Sequence, residues 1–379
     1  MLSAVLLAIQ GATPIHPVTL KTPEGAREPQ VAVQSIRTEK QEAPVGRFGG
    51  TESDPAAVHV VFGTKSAIYV SSSYDRAGSF HDSIRVADVG SLALGMRRGP
   101  RIAASSSSLV VTAIAGERGG GRDGDLLCWR SEDFGASWKP AGRINSKEGS
   151  AREGLHAMAA GPNGAVFCAW IDLDGDSPRI CGALSKDAGG AWGTPVVIQG
   201  DSTAICPCCH PSVAIDANGA IAVMWRGQEK GARDMVIARS DDGATTFSRP
   251  VKIGTGTWKL DACPMDGGAL ASALGRTLTV WRRQDSVYRA EVGSPEVSLG
   301  AGEQPWITVG PQGPCVLWVR KRGGPLLLWW KGRESPIEID STANDPMIAS
   351  VDGLPGPVVA VWESGEGDHT RIVAARIGG

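Results

Sequence analysis

The densest chemistry in the chain is the run Cys206-Pro-Cys208-Cys209-His210, answered one repeat later by Cys263-Pro-Met265-Asp266. Thiolate, imidazole and thioether are ligands of soft ions, so four thiols with His210 and Met265 form a set suited to copper(I) or zinc. The same cysteines suit a second chemistry. In an exported chain with eight Cys, Cys263 paired with one of the cluster would be a disulfide stapling successive units. Reversible thiol redox is a third, and because Cys-x-Cys-Cys is not a zinc spacing, the pattern leaves all three open. Cys168 and Cys181 flank one loop as a cross-strand bridge would, whereas Cys128 and Cys315 lie in apolar strands and read as buried free thiols. Asp172-x-Asp174-x-Asp176 alternates carboxylates as half of a calcium loop does, without the distal Glu, and reads first as a solvated loop.

These residues need a scaffold, and the chain announces one by repetition. Four copies of a short pattern recur about every fifty residues: Ser73-Tyr-Asp75-Arg-Ala-Gly-Ser79-Phe80, Ser131-Glu-Asp133-Phe-Gly135-Ala-Ser137-Trp138, Ser185-Lys-Asp187-Ala-Gly189-Gly-Ala-Trp192 and Ser240-Asp-Asp242-Gly-Ala-Thr-Thr246-Phe247. Each supplies an Asp that bonds its own turn, a Gly for a left-handed residue, and an aromatic that plugs between strands. The first copy has its Gly displaced to Gly78, and the fourth has Ala244 where Gly is expected. Between copies the apolar residues alternate as strands do, with inner strands expected to begin at Pro100, Leu155, Pro211, Asp266, Gln304 and Asp345.

The four motifs resemble the Asp-box, or BNR-repeat, proteins of the sialidase superfamily, whose boxes join the outer two strands of propeller blades. The resemblance implies an all-β propeller of four-stranded blades; the units counted along this chain favour seven blades, with six the alternative. The stretch 205–268 resembles more closely a group of bacterial exported proteins labelled exo-alpha-sialidase-like. A retaining sialidase uses a Tyr nucleophile activated by a Glu, an Asp acid/base and three Arg gripping the substrate carboxylate. Carried onto this sequence, that role falls to Arg101, Arg226 and Arg282 with Tyr288 and Asp174. The match is incomplete, since Tyr69 and Tyr74 sit beside the first box and the early Arg-Ile-Pro motif has no clear counterpart.

If the boxes share one face, the opposite face collects His156, Arg233, Asp234, Asp266, Glu303 and Trp306 at a concave polar mouth. The resulting expectation is a binding propeller for a carbohydrate or protein ligand, acting as a monomer, with a sialidase-like glycoside hydrolase or a metal or redox protein as alternatives. A formal net charge of -2 argues against nucleic acid, and no segment is long and apolar enough for a transmembrane helix. The apolar run from Met1 to Ile9 reads as a signal peptide within residues 1–20, followed by a linker over 21–50 and the propeller over 51–379. Gln30 to Ile36 is expected to close the last blade.

Overall fold

The computed structural model describes residues 15–35, 56–105, 107–199, 205–351 and 356–378; the run from Met1 to Ile9 lies outside them. The chain is a β-propeller. Its sheets are antiparallel and follow one another in sequence, beginning with Arg27–Ser35, Ala56–Thr64, Ala67–Ser73 and Ile84–Asp88. Burial decreases outward within each blade for a simple reason: inner strands have blades on both sides, outer strands have solvent. Val166–Asp172 and Ile221–Arg226 are buried along their whole lengths, whereas Val251–Lys252 is exposed. The second strands also carry Trp170, Trp225, Trp318 and Trp362, all fully buried between blades. The indole N–H of Trp170 donates to Asp172 at 3.0 Å, that of Trp318 to the Ala301 carbonyl at 3.1 Å and that of Trp362 to Asp340 at 2.6 Å, as burial of a polar tip requires.

Among the described residues, the inner strands form a closed succession. Arg27–Ser35 neighbours Arg101–Ala104, followed by His156–Ala160, Ser212–Ile215, Gly268–Ala273 and Glu303–Gly310. Ile337–Ala349 then returns to Arg27–Ser35, which makes seven units. That last strand is 13 residues long because it serves two blades. Its first half pairs with Gly324–Trp330 and its second with Val358–Ser364, the register breaking between Asn344 and Met347. A bulge at such a point lets one strand turn from the rim to the axis.

The N-terminal region is organised differently from the expectation. Arg27–Ser35 pairs with Ala56–Thr64 as the inner strand of the first blade, so it does not close the last one. Closure falls to Pro17–Thr19, which pairs with Arg371–Ile377, while buried Leu20 donates its N–H to the Ile372 carbonyl at 2.9 Å. The propeller therefore begins within the segment expected to be leader and linker, ahead of residue 51. Pro17–Thr19 is three residues long and mostly exposed, as an outermost strand is, whereas Arg27–Ser35 is nine residues long and buried over most of its length, as an inner strand is.

All four Asp boxes adopt one geometry. In the second, the Ser131 hydroxyl donates to Asp133 at 2.7 Å and accepts the Gly135 N–H at 2.9 Å, and Asp133 accepts both the N–H and the hydroxyl of Ser137. Asp75 and Asp242 repeat these contacts, with Ser79 and Thr246 as donors, while Asp187 repeats them without the hydroxyl, since Ala191 offers only its N–H. The left-handed residue is Gly135 or Gly189 in two copies, and Ala77 (φ 68°) or Ala244 (φ 63°) in the others, so the box tolerates a methyl there at a cost of about 1 kcal/mol. The aromatics Phe80, Trp138, Trp192 and Phe247 pack onto the interblade cores. The Ala188 N–H of the third box donates to the Gly164 carbonyl at 2.7 Å, tying the box to the turn between the first and second strands. The boxes and those turns thus share one face, and the loops leading into the inner strands occupy the other.

Candidate functional site

On the face opposite the boxes, several inner strands begin with a residue in the left-handed region: Glu28 (φ 54°), Gln304 (φ 55°) and Asp345 (φ 46°), each at a break in register. The bulge rotates that side chain out of the alternation and toward the axis. The result is a buried polar network across the ring. Gln304 donates to Asp345 at 2.7 Å, the Asp345 N–H donates back to Gln304 at 3.0 Å, and the Gln304 N–H donates to Asp266 at 2.8 Å. Arg97, from the loop ahead of the second blade's inner strand, reaches across to the carbonyls of Pro346 at 2.8 Å and Gln304 at 2.6 Å. Its guanidinium lies 5.2 Å from the Trp306 ring, which stacks on His210 at 5.9 Å.

Burial dominates the electrostatics here. Glu28 accepts the N–H of Gly99 at 2.6 Å, donates its own N–H to Glu363 at 2.7 Å, and has its carboxyl pushed up to about 7 by burial and the nearby Asp345 charge. Asp266 is raised by burial, against the opposing pull of its Gln304 hydrogen bond and of Arg97, Arg226 and Arg282. His156 and His210 are held well below the usual imidazole range, first by burial and then by surrounding guanidinium groups, so both are neutral. His156 pairs with Thr112 at 3.1 Å.

The three arginines expected to grip a carboxylate do not converge on open space. Arg101 is buried with its donors on the carbonyls of Gly99, Pro100, Arg97 and His156. Arg226 is buried likewise, spanning the carbonyls of Asp266 (3.0 and 2.9 Å), Arg233 (2.6 Å) and Arg282 (3.0 Å). Arg282 is half-buried and paired with Glu303 at 2.6 Å, whose other oxygen accepts the Arg322 N–H at 2.7 Å. Tyr288 is stacked on Trp281 at 6.1 Å beneath the Arg283 guanidinium at 3.9 Å, on the outer part of its blade. Asp174 pairs with Lys147 at 2.7 Å. In the same loop Asp172 is bonded to Ser150, Trp170, the Asp174 N–H and Arg179.

The cysteines divide. Cys206 Sγ lies 3.3 Å from Cys208 Sγ and 3.5 Å from Cys209 Sγ, and all three fall within 4.8 Å of one another. Cys206 and Cys209 are buried, Cys208 is half-buried, and Cys263 is exposed with its thiol beside that of Cys208. Hydrogen bonding to Cys208 together with burial pushes Cys206 up to about 11, and burial pushes Cys209 up to about 12. His210 stands outside this three-sulfur group. The His210 ring is turned to Trp306, and the Met265 carbonyl accepts from Arg322 at 2.8 Å. Cys168 and Cys181 are not cross-strand partners, since Cys168 faces Ala183 and Cys181 faces Trp170; both are free thiols in the interblade core with Cys128. Cys315 is buried and free.

An open cleft of about 680 Å³ lies beside this cluster, lined by Trp258, Leu260, Cys263, Arg282, Gln284 and Asp285 among others. Trp258 is itself buried, with the guanidinium groups of Arg226 and Arg282 over its ring at 5.2 and 5.6 Å. Arg233 N–H donates to the Trp258 carbonyl, and Asp234 accepts the Trp258 N–H at 2.9 Å and pairs with Lys252 at 2.8 Å, so these two hold the cleft wall in place. Glu28 and Arg97 belong to no motif in the sequence, and Gln304 stands out there only as the start of a strand. An Arg pair just ahead of Pro100 is the sequence signal for Arg97.

No protein-family model matches the chain, and no curated protein matches it. Solved structures match it over nearly its whole length. YCF48 bound to D1 peptide matches with a TM-score of 0.54 and 13% identity, covering 100% of both chains. The alpha-L-arabinanase of Penicillium chrysogenum complexed with arabinobiose matches with a TM-score of 0.53 and 11% identity, over 95% of this chain and 96% of that one. A protein of unknown function from Dyadobacter fermentans matches with a TM-score of 0.52 and 15% identity, over 98% of this chain and 100% of that one. At such identities the likeness is one of fold, and the fold is a β-propeller.

Proposed function

We propose that this chain is an exported, non-catalytic propeller that binds a protein or carbohydrate ligand on the loop face opposite its Asp boxes. One observation carries the reading: the guanidinium groups of Arg101 and Arg226 are buried and spent on main-chain carbonyls, which leaves no triad for a substrate carboxylate. Tyr288, covered by Arg283, is likewise no nucleophile for the mouth. What remains is recognition surface. The cleft between Trp258 and Gln284 is open and mixes apolar Leu260 with polar Gln284, Asp285 and Arg282. Its one aromatic ring is buried under two guanidinium groups, so it offers no free face for stacking a sugar; a peptide segment is therefore favoured over a glycan. The similar fold of YCF48, solved bound to a peptide, supports that preference.

The test is a paired screen of the purified chain against peptide and glycan arrays and against fluorogenic sialoside and arabinofuranoside. Ligand capture that Gln284→Arg abolishes, with no turnover of either glycoside, is the expected result. Turnover that falls on Arg282→Ala would instead establish the hydrolase. Export is tested by the N-terminal residue of the secreted protein. Cleavage is expected upstream of Ile15, because a cut at residue 20 would remove the strand Pro17–Thr19 that closes the ring.

A further inference from the structure

The three-sulfur group has a geometry that a disulfide does not account for. A disulfide joins two sulfurs and leaves the third idle, whereas here Cys206 Sγ stands between Cys208 and Cys209 at 3.3 and 3.5 Å. Thiolates around one zinc lie about 2.3 Å from the ion, which places neighbouring sulfurs roughly 3.8 Å apart on a tetrahedron. Two of the observed separations fall a few tenths of an ångström short of that edge, and the third is no more than 4.8 Å. Among the described residues this is the one group of three or more Cys, His, Asp or Glu side chains gathered so closely.

The backbone holds the group in place. The Cys206 N–H donates to the Arg226 carbonyl at 2.8 Å, Ile205 pairs with Gly227, and Pro207 and Pro211 restrict the turn on either side. The site faces outward only through half-buried Cys208 and exposed Cys263, the latter also a wall of the cleft. Charge is compatible as well. Three thiolates around a divalent ion leave one negative charge, and the buried Arg226 guanidinium attracts the Cys209 thiolate.

We propose that Cys206, Cys208 and Cys209 bind one thiophilic ion of filled d shell, zinc or copper(I), with Cys263 positioned to supply a fourth sulfur from the rim of the cleft. Binding is proton-coupled and not redox: each thiol that ligates releases its proton to solvent as its sulfur bonds the ion, and copper is taken up already reduced. The site does not rest on the ligand reading above, since an ion would be held whether or not the cleft binds a peptide.

The experiment uses the full chain, reduced with a phosphine, stripped with a chelator and desalted. Zinc is titrated against a chromogenic chelator and copper(I) against a copper(I)-selective one; whichever ion is withdrawn from its competitor identifies the occupant. Cobalt(II) serves as the optical probe. One equivalent of ion is expected, with thiolate-to-cobalt charge-transfer absorption that is lost in Cys206→Ser and Cys209→Ser and kept in Cys315→Ser. Mass mapping of alkylated wild-type protein reads the same site without a variant, and the ion should shield Cys206, Cys208 and Cys209 from alkylation. Three outcomes overturn the proposal: no uptake although the three thiols are shown to be reduced, equal uptake by Cys206→Ser and Cys209→Ser, or native protein isolated without reductant carrying Cys206 in a disulfide and no ion.

Discussion

Replacing Arg226 by Met separates a structural arginine from a ligand-gripping one. In the structure its guanidinium serves three carbonyls, those of Asp266, Arg233 and Arg282, the first two in fully buried surroundings, and lies 5.2 Å from the Trp258 ring. Methionine keeps much of the apolar stem and removes every donor. Each carbonyl stranded without a partner costs about 1 kcal/mol, and the lost ring contact adds about 0.5–1 kcal/mol, giving a loss of roughly 3–4 kcal/mol. An arginine that served only a ligand would have no such partners, and its removal would change stability by less than about 0.5 kcal/mol. Urea denaturation followed by tryptophan fluorescence measures the difference, with an unchanged slope required for the midpoint shift to be read as stability. A loss below about 1 kcal/mol at unchanged slope would refute the assignment of Arg226 to the scaffold.

Three further outcomes are expected. A chain beginning at residue 21 lacks Pro17–Thr19 and the buried Leu20, and should lose about 3–5 kcal/mol relative to one beginning at residue 15, as read by denaturant midpoint; equal midpoints would mean that the ring closes without the strap. Glu28 has its folded value raised from 4.5 to about 7, so its contribution is complete below about pH 4.5 and is lost as the pH rises through 7. Stability measured at pH 5 and pH 8 should therefore fall less for Glu28→Gln than for the unmodified chain, by on the order of 2 kcal/mol, and an identical fall in both would remove Glu28 as the titrating group. Gly189→Ala places a Cβ at φ 82° only 2.9 Å from both methyls of Val110, and should cost about 2 kcal/mol or more in thermal or urea melts, against a smaller loss for Gly231→Ala, where nothing lies within 4 Å.

The repeat and its polarity are written in local sequence pattern. The Asp boxes are local devices, since Ser73 and Asp75 or Ser240 and Asp242 satisfy one another only two residues apart, so their spacing revealed the blade before any contact was known. The starts of the inner strands near Pro100, Leu155, Pro211, Asp266 and Gln304, and the tryptophans on the second strands, followed from periodicity for the same reason. Tertiary structure decided everything that depends on ring closure. Whether Pro17–Thr19 or Arg27–Ser35 meets the last strand is a competition between two N-terminal segments more than 300 residues from their candidate partner, and local pattern carries no information about the winner. The arginines show the same limit. Arg97 finds its acceptors 207 and 249 residues away, and Arg226 finds one of its acceptors 56 residues on, in the next blade. A guanidinium in sequence is a set of donors without a direction; only the packed ring turned Arg101 and Arg226 inward to the backbone, and left Cys206, Cys208 and Cys209 gathered together while turning His210 to Trp306.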